Sequence, residues 1–308
     1  NYLYEAGNFN VYTCRVIDSP GTYTLQNDIL NSDQKVCIDI NSRNVIFDGN
    51  DHTISGIFNV AQWPQHEIGN PDVVMNDPLM ELFFEMQYGV PISLTVRPPY
   101  GIMIHDLSPD PAGGIVGVRN IHLSAWEAGI FYRNSHFDPV TEGFVENTSI
   151  DSSLVGILMD SSQGVMVNAN YLGYGSPDLI GIAFNSSRNN RLENNDITSA
   201  LAGIGLYYSE LNSLTGNNLR DNMMSGIGLS SSLGNTVSTN TVTGSYLGGI
   251  GLVNSSSNSV HDNALSGNGL MGAIFLGSSP DNEFFNNNVS TNYIGILVDS
   301  YGEFLSEI

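Results

Sequence analysis

From Gly156 onward the chain repeats itself every 22 to 25 residues, and this self-similarity limits its fold more than any other property it has. Three marks recur in each unit. A small residue before an Ile stands at Gly181, Gly203, Gly226, Gly249 and Ala273. An Asn follows nine residues later, at Asn190, Asn212, Asn235, Asn258 and Asn282, and another five residues after that, at Asn195, Asn217, Asn240, Asn263 and Asn287. All three rows advance in step by 22, 23, 23 and 24 residues, and Gly156 and Gly295 extend the first row at both ends. An Asn-rich low-complexity tract would not slip in register like this.

Within a unit the apolar residues stand two apart, as in Ile204 and Leu206, then recur at Leu214 and Leu219. Spacing of two is strand spacing, and nothing in these units has helical period, so helical repeat arrays are excluded. The strands are short and separated by Asn, Ser and Gly turns. One unit is therefore one coil of a β-solenoid, each apolar position stacking on its equivalent about 4.8 Å away. The predicted internal columns are Ile182 to Ile296, Phe184 to Val298, Leu192 to Phe284 and Ile197 to Val289, each taken once per coil. The two Asn rows have a structural use: an amide turned into a solenoid needs a partner from the next coil, and stacked Asn side chains provide one. Gly at the strand entry suits a tight corner. No coil can stand alone, so stability depends on burial between neighbours.

Composition narrows the function. Nine Lys and Arg against 31 Asp and Glu give a formal charge of −22, and Lys35 is the sole lysine. So few cations cannot form a track for nucleic acid or an anionic membrane. The charged fraction of 13% is about half that of an ordinary soluble domain, so the polar character comes from Asn, Ser, Thr and Gly. No apolar run reaches the ~18 residues of a membrane span. The opening Asn1-Tyr2-Leu3-Tyr4 has no signal-peptide pattern, and a processed N-terminus is expected. Two cysteines without a CxxC argue against structural zinc.

The N-terminal part carries a family resemblance. Pro20-Gly21-Thr22-Tyr23, Asn27-Asp28-Ile29, Cys37-Ile38 and the run Asn44-Val45-Ile46-Phe47-Asp48-Gly49-Asn50-Asp51-His52-Thr53-Ile54 resemble the opening coils of NosD-like, or PbH1-repeat, β-helix proteins. The versions on archaeal surface proteins are the most similar in pattern, and the later Gly-Ile coils resemble the same family. The resemblance covers about 20–56 and 114–298. It implies a right-handed parallel β-helix of about ten coils over 13–56 and 114–300. It does not imply one activity, because the family includes sugar epimerases and lyases, copper-insertion proteins and inert surface modules. The chain is expected to be one domain, with an N-terminal segment 1–12, a Pro-rich insertion 57–112 and a cap or tail at 299–308. Within the insertion, Asp77 and Pro78 could start a short helix with Leu79, Leu82, Phe83 and Met86 on one face, as an assembly element or a lid. A smaller insertion is expected from Asn134 to Gly143.

Six histidines, His52, His66, His105, His122, His136 and His261, form no HxH or HExxH. His52 is expected in a structural turn. His105-Asp106, His122, Arg119, Arg133, His136 and Asp138 fall near the insertions and are the groups from which a general base site could be built. No catalytic residue is assigned. Cys14 and Cys37 lie 23 residues apart, one coil period, which predicts a disulfide between adjacent coils and an oxidising compartment. Sequons at Asn147, Asn185, Asn254 and Asn288 are candidate glycosylation sites, with Asn185 and Asn254 expected to face outward. No cofactor is implied, and Ca²⁺ has no motif. These features together predict an extracellular structural protein, a self-assembling surface-layer or sheath subunit forming a lattice, tube or hoop. The alternative is a secreted carbohydrate-active or carbohydrate-binding β-helix.

Overall fold

The computed structural model describes residues 7–58, 99–108, 114–137, 143–173 and 180–299. Over these residues the short strands wind into a single parallel β-solenoid of about ten turns. Three sheets form its sides, with eleven strands in sheet A, eleven in sheet B and ten in sheet C. One turn supplies a strand to each: Ile180–Asn185 lies in sheet B, Arg191–Glu193 in sheet A and Asp196–Thr198 in sheet C. Among the described residues there is no helix, and hence none long and apolar enough to cross a membrane.

The predicted columns are the core. Ile182, Ile204, Ile227, Ile250 and Ile274 pair in register and are buried. Leu192, Leu214, Val237 and Val260 do the same in sheet A, and Ile197, Leu219, Val242 and Leu265 in sheet C. In the last described turn the same positions are open, with Ile296 55% and Val298 64% exposed. An interior side chain is covered only when a coil lies on each side of it.

Each corner has one device. A residue with positive φ turns the chain, and the next residue points inward and bonds to the neighbouring coil. At the A–C corner Asn194, Gly216, Thr239, Asp262 and Asn286 have φ between 54° and 67° and precede Asn195, Asn217, Asn240, Asn263 and Asn287. Asn195 Nδ2 donates to Asn217 Oδ1 at 2.9 Å, and Asn217 to Asn240, Asn240 to Asn263 and Asn263 to Asn287 at 2.9–3.0 Å. Each Oδ1 also accepts a backbone N–H, as in Asn195 N to Asn217 Oδ1, and each Nδ2 also bonds a carbonyl, as in Asn217 to Leu192 O. The row through Asn190, Asn212, Asn235, Asn258 and Asn282 is built alike. Two further ladders were not anticipated. Ser135, Ser162, Ser187, Ser209, Ser232, Ser255 and Ser279 link coils from backbone N–H to Oγ. Asn222, Ser245, Asn268 and Asn292 line the C–B corner.

Three expectations change. Gly203 and Gly226 are not in tight corners. They lie within sheet B strands, where a Cβ on Gly203 would come 2.5 Å from Gly226 O and 2.6 Å from Leu219, so what they provide is space. The solenoid begins earlier than residue 13, because Gly7–Val11 pairs with Gly21–Leu25 in sheet A. Tyr100–His105, inside the stretch expected to interrupt the coils, is a sheet B strand between Val36–Ile40 and Ala128–Arg133. Leu79, Leu82, Phe83 and Met86, with the helix expected there, lie outside the described residues, as do His66, Asp138 and 300–308. Cys14 and Cys37 form the disulfide, their Cα atoms 4.4 Å apart across adjacent coils.

Candidate functional site

The outer faces of the early coils carry the chemistry. Residues a few apart in sequence lie on different sides of a solenoid, so the groups anticipated as one patch are divided into two.

On sheet B, His105, Arg133, Asp160 and Asn185 follow one another in register. His105 bonds Asp39 through Nε2 at 2.8 Å and Asp106 through Nδ1 at 2.9 Å. Asn134 donates to Asp106 at 3.0 Å, and Asn185 to Asp160 at 3.0 Å. The hydrogen bond from His105, then that from Asn134, holds the Asp106 carboxyl below its usual range. These groups satisfy one another, as a structural network does.

The second set lies on sheet C and at its corner with sheet A. His122, Ser149, Tyr171 and Asp196 form one outward column. His122 Nε2 meets Asp151 at 2.9 Å. This hydrogen bond raises the imidazole above its ordinary value against the opposing effect of burial. With Nε2 taken by Asp151, Nδ1 is the ring nitrogen left for a ligand. Tyr171 is 49% exposed. Beyond it, Arg220 holds Asp196 with two contacts of 2.8 Å. At the corner Arg119 Nε donates to Asp48 at 2.9 Å, Asn120 to Asp48 at 3.1 Å and Asn147 to Asn120 at 2.8 Å. Asp51, Ile121, His122, Asn147, Thr148, Ser149 and Tyr171 line an open cleft of about 210 Å³. That is smaller than the ~300–1,000 Å³ of enclosed small-molecule sites and is the scale of a platform touching part of a longer ligand.

The remaining candidates lie apart. His136 sits at the turn before sheet A, where burial and then the charges of Arg188 and Arg43 push its imidazole below the ordinary value. His52 pairs with Asp28 in the turn role expected of it, and His261 pairs with Asp262. Among the sequons, Asn147, Asn254 and Asn288 are exposed, whereas Asn185 is half-buried against Asp160. Tyr171 and Asp151 were not singled out beforehand. Their signal was available, because Tyr171 occupies an outward strand position where later coils carry Asp196, Asn218 and Thr241.

Residues 112–302 match the family model described as periplasmic copper-binding protein (NosD), which spans more than half of the chain. The chain belongs to the NosD family. No curated protein matches it in sequence. Among solved structures it is similar to a double mutant of the periplasmic alginate epimerase AlgG, with TM-score 0.57 and 14% identity over 96% of this chain and 82% of that one. PfbA, a surface adhesin of Streptococcus pneumoniae, gives TM-score 0.60 and 11% identity over 94% and 82%. A polygalacturonase from Erwinia carotovora gives 0.53 and 12% over 94% and 84%. At these identities the likeness is one of fold. The copper in the family's description finds no fitting donor set among the described residues. No three His, Cys, Asp or Glu there are placed to hold one metal ion, both cysteines are oxidised to a disulfide, and four of the five described histidines are engaged by aspartates.

Proposed function

We propose that the protein is an extracytoplasmic β-helix that binds a polysaccharide along its outer surface, with the sheet C column as a contact site. The observation that carries this is the cleft itself. An exposed aromatic ring, Tyr171, stands beside the imidazole of His122 and the amide and hydroxyl groups of Asn147 and Ser149. A sugar ring has apolar faces and a polar rim and needs both kinds of partner. The disulfide fits an oxidising compartment, and two of the similar folds are named an alginate epimerase and a polygalacturonase. The site lacks the cationic group that a uronate would need, since Arg119 and Arg220 are each engaged by a carboxylate, and a formal charge of −22 repels acidic polymers. Binding of a neutral chain is therefore favoured over lyase or epimerase chemistry. Affinity electrophoresis of the protein against a panel of neutral and acidic polysaccharides tests this. Retardation by a neutral polymer that weakens in His122→Ala and Tyr171→Ala supports the assignment; no retardation by any polymer, or variants that bind like the wild type, removes it.

One observation favours a second reading, a self-assembling surface-layer or sheath subunit. The interior positions Ile296 and Val298 of the last described turn are more than half exposed, as on a surface that another copy could cover. Sedimentation across protein concentration, with salt and Ca²⁺ to screen the charge, tests for growing species. A monomer throughout rejects it.

A further inference from the structure

The C–B corner of the later turns carries a row of exposed side chains that the sheet C cleft does not use. Met223, Tyr246, Gly269 and Tyr293 are equivalent positions in successive coils, each donating its backbone N–H to the ladder residue of the coil before. Met223 is 63% exposed, Tyr246 66% and Tyr293 77%. The glycine between the tyrosines is required, since a Cβ on Gly269 would lie 1.8 Å from Tyr246 O. The two phenol rings are therefore carried two coils apart, about 9.6 Å along the axis, and the coil between them presents Gly269 and the half-exposed Leu270.

Three further features define what fits there. The neighbouring outward row of sheet C is a line of hydroxyls, Thr243, Ser266 and Ser290, in register. On the other side Met224, Leu247 and Met271 give half-buried apolar surface. From Asn222 to Val260 the sequence has no Asp, Glu, Lys or Arg, although the whole chain has 40 such residues, 9 cationic and 31 acidic.

We infer that this corner is a binding track for a neutral β-1,4-linked polysaccharide lying along the solenoid axis, with Tyr246 and Tyr293 stacking on alternate sugar rings. The rise per ring of such a chain is close to one inter-strand spacing, and the same ring face returns at every second sugar. Tyr-Gly-Tyr reproduces that alternation. The hydroxyl row meets the polar rim of the rings, and the stretch around Tyr246 adds no charge beyond Asp221, which lies at the same corner against Gly244. A second copy of the protein suits the row less well, because a line one side chain wide offers little of the ~800 Å² per partner that stable protein interfaces bury. The inference shares with the cleft assignment the idea of a polysaccharide ligand, but it concerns a separate surface.

The test is affinity electrophoresis of the full chain in gels containing hydroxyethyl cellulose or glucomannan, with polygalacturonate as the acidic control. The wild type should be retarded by the neutral polymers only. Tyr246→Ala with Tyr293→Ala should weaken binding about tenfold or more, each single change by less, and the Tyr→Phe pair should retain it. Both side chains are exposed, so these variants should fold, and unchanged thermal unfolding verifies that they do. Loss with the tyrosine pair but not with Tyr171→Ala upholds this track and removes the cleft. Loss with Tyr171→Ala alone removes the track and keeps the cleft. Absence of retardation by either neutral polymer overturns the track, as does a sedimentation coefficient that falls from dimer to monomer in the tyrosine pair, which would assign the row to a second copy.

Discussion

The coils before residue 173 and those after residue 180 share one winding but are held together differently. The early coils fill their interior with large rings: Tyr23, Phe47, Trp126, Tyr132 and Phe137 are buried. Trp126 Nε1 donates to Ile54 O, and the Tyr132 hydroxyl reaches Val116 O and Phe144 O, so single side chains bind several coils. Their outer faces bear ion pairs and histidines. The later coils use repeated aliphatics and continuous Asn and Ser ladders, with ion pairs such as Arg220–Asp196 and His261–Asp262 outside. Where ladders recur at the corners, one coil repeats the next. Before the Ser ladder begins at Ser135, each coil needs its own solution, and that irregularity brings unlike groups together on the surface.

If the ladders hold the later coils, breaking one should cost more there than any change of surface charge. Asn217→Ala would strand the Asn195 backbone N–H and the Leu192 carbonyl, and would take one hydrogen bond each from Asn195 Nδ2 and Asn240 Oδ1. With each stranded buried group costing about 1–3 kcal/mol, a loss of about 4 kcal/mol is expected in urea unfolding. A loss below about 1 kcal/mol would show that the columns alone suffice.

The early coils should depend on covalent closure. Cys14→Ser with Cys37→Ser opens a loop spanning a 23-residue separation and should cost roughly 3 kcal/mol. Hydrogen exchange should place the loss in residues 7–56, and uniform loss along the solenoid would contradict the division.

The third effect is a gain. At the C–B corner Ser245 interrupts the asparagines, and both Asn222 Nδ2 and Ser245 Oγ are buried without a hydrogen-bond partner. Ser245→Asn should let Asn222 donate to a new amide oxygen and stabilise the protein by about 1 kcal/mol in thermal unfolding. Destabilisation would show that the corner cannot hold the larger side chain.

The smallest effect concerns the early exterior. His122 should titrate above the ordinary ~6.5 in an NMR pH series, and Asp151→Asn should bring it down. Because its folded value is raised, its contribution to stability is fully present below about pH 6.5 and is lost as pH rises through the raised midpoint. With the imidazole partly exposed, that contribution is small. A midpoint unchanged by Asp151→Asn would detach the pair.

The later coils were legible because one slip of 22, 23, 23 and 24 residues runs through every row. Ser187, Ser209, Ser232, Ser255 and Ser279 slip identically, yet serine is common enough in this chain to pass unnoticed beside asparagine. The disulfide followed from the same period. Tyr100–His105 was hidden because the sequence before it is Pro-rich and carries no coil marks. The candidate site was only half legible. Arg119 ends a sheet A strand and His122 begins a sheet C strand, so three residues of sequence turn a corner, whereas His105 and Arg133 are 28 positions apart and adjacent in sheet B. Periodicity shows which residues face inward, but the grouping of outward residues depends on where each corner falls.

The ladders also give the molecule an electrical direction. In both long Asn columns the amide N–H points to the following coil and the C=O to the preceding one. The side-chain dipoles therefore add head to tail, as peptide dipoles do in a helix, and hydrogen-bonded chains polarise one another. The solenoid should have a positive pole at its later end and a negative pole where the columns start, so in an applied electric field the protein should orient along its long axis rather than behave as a uniformly acidic rod.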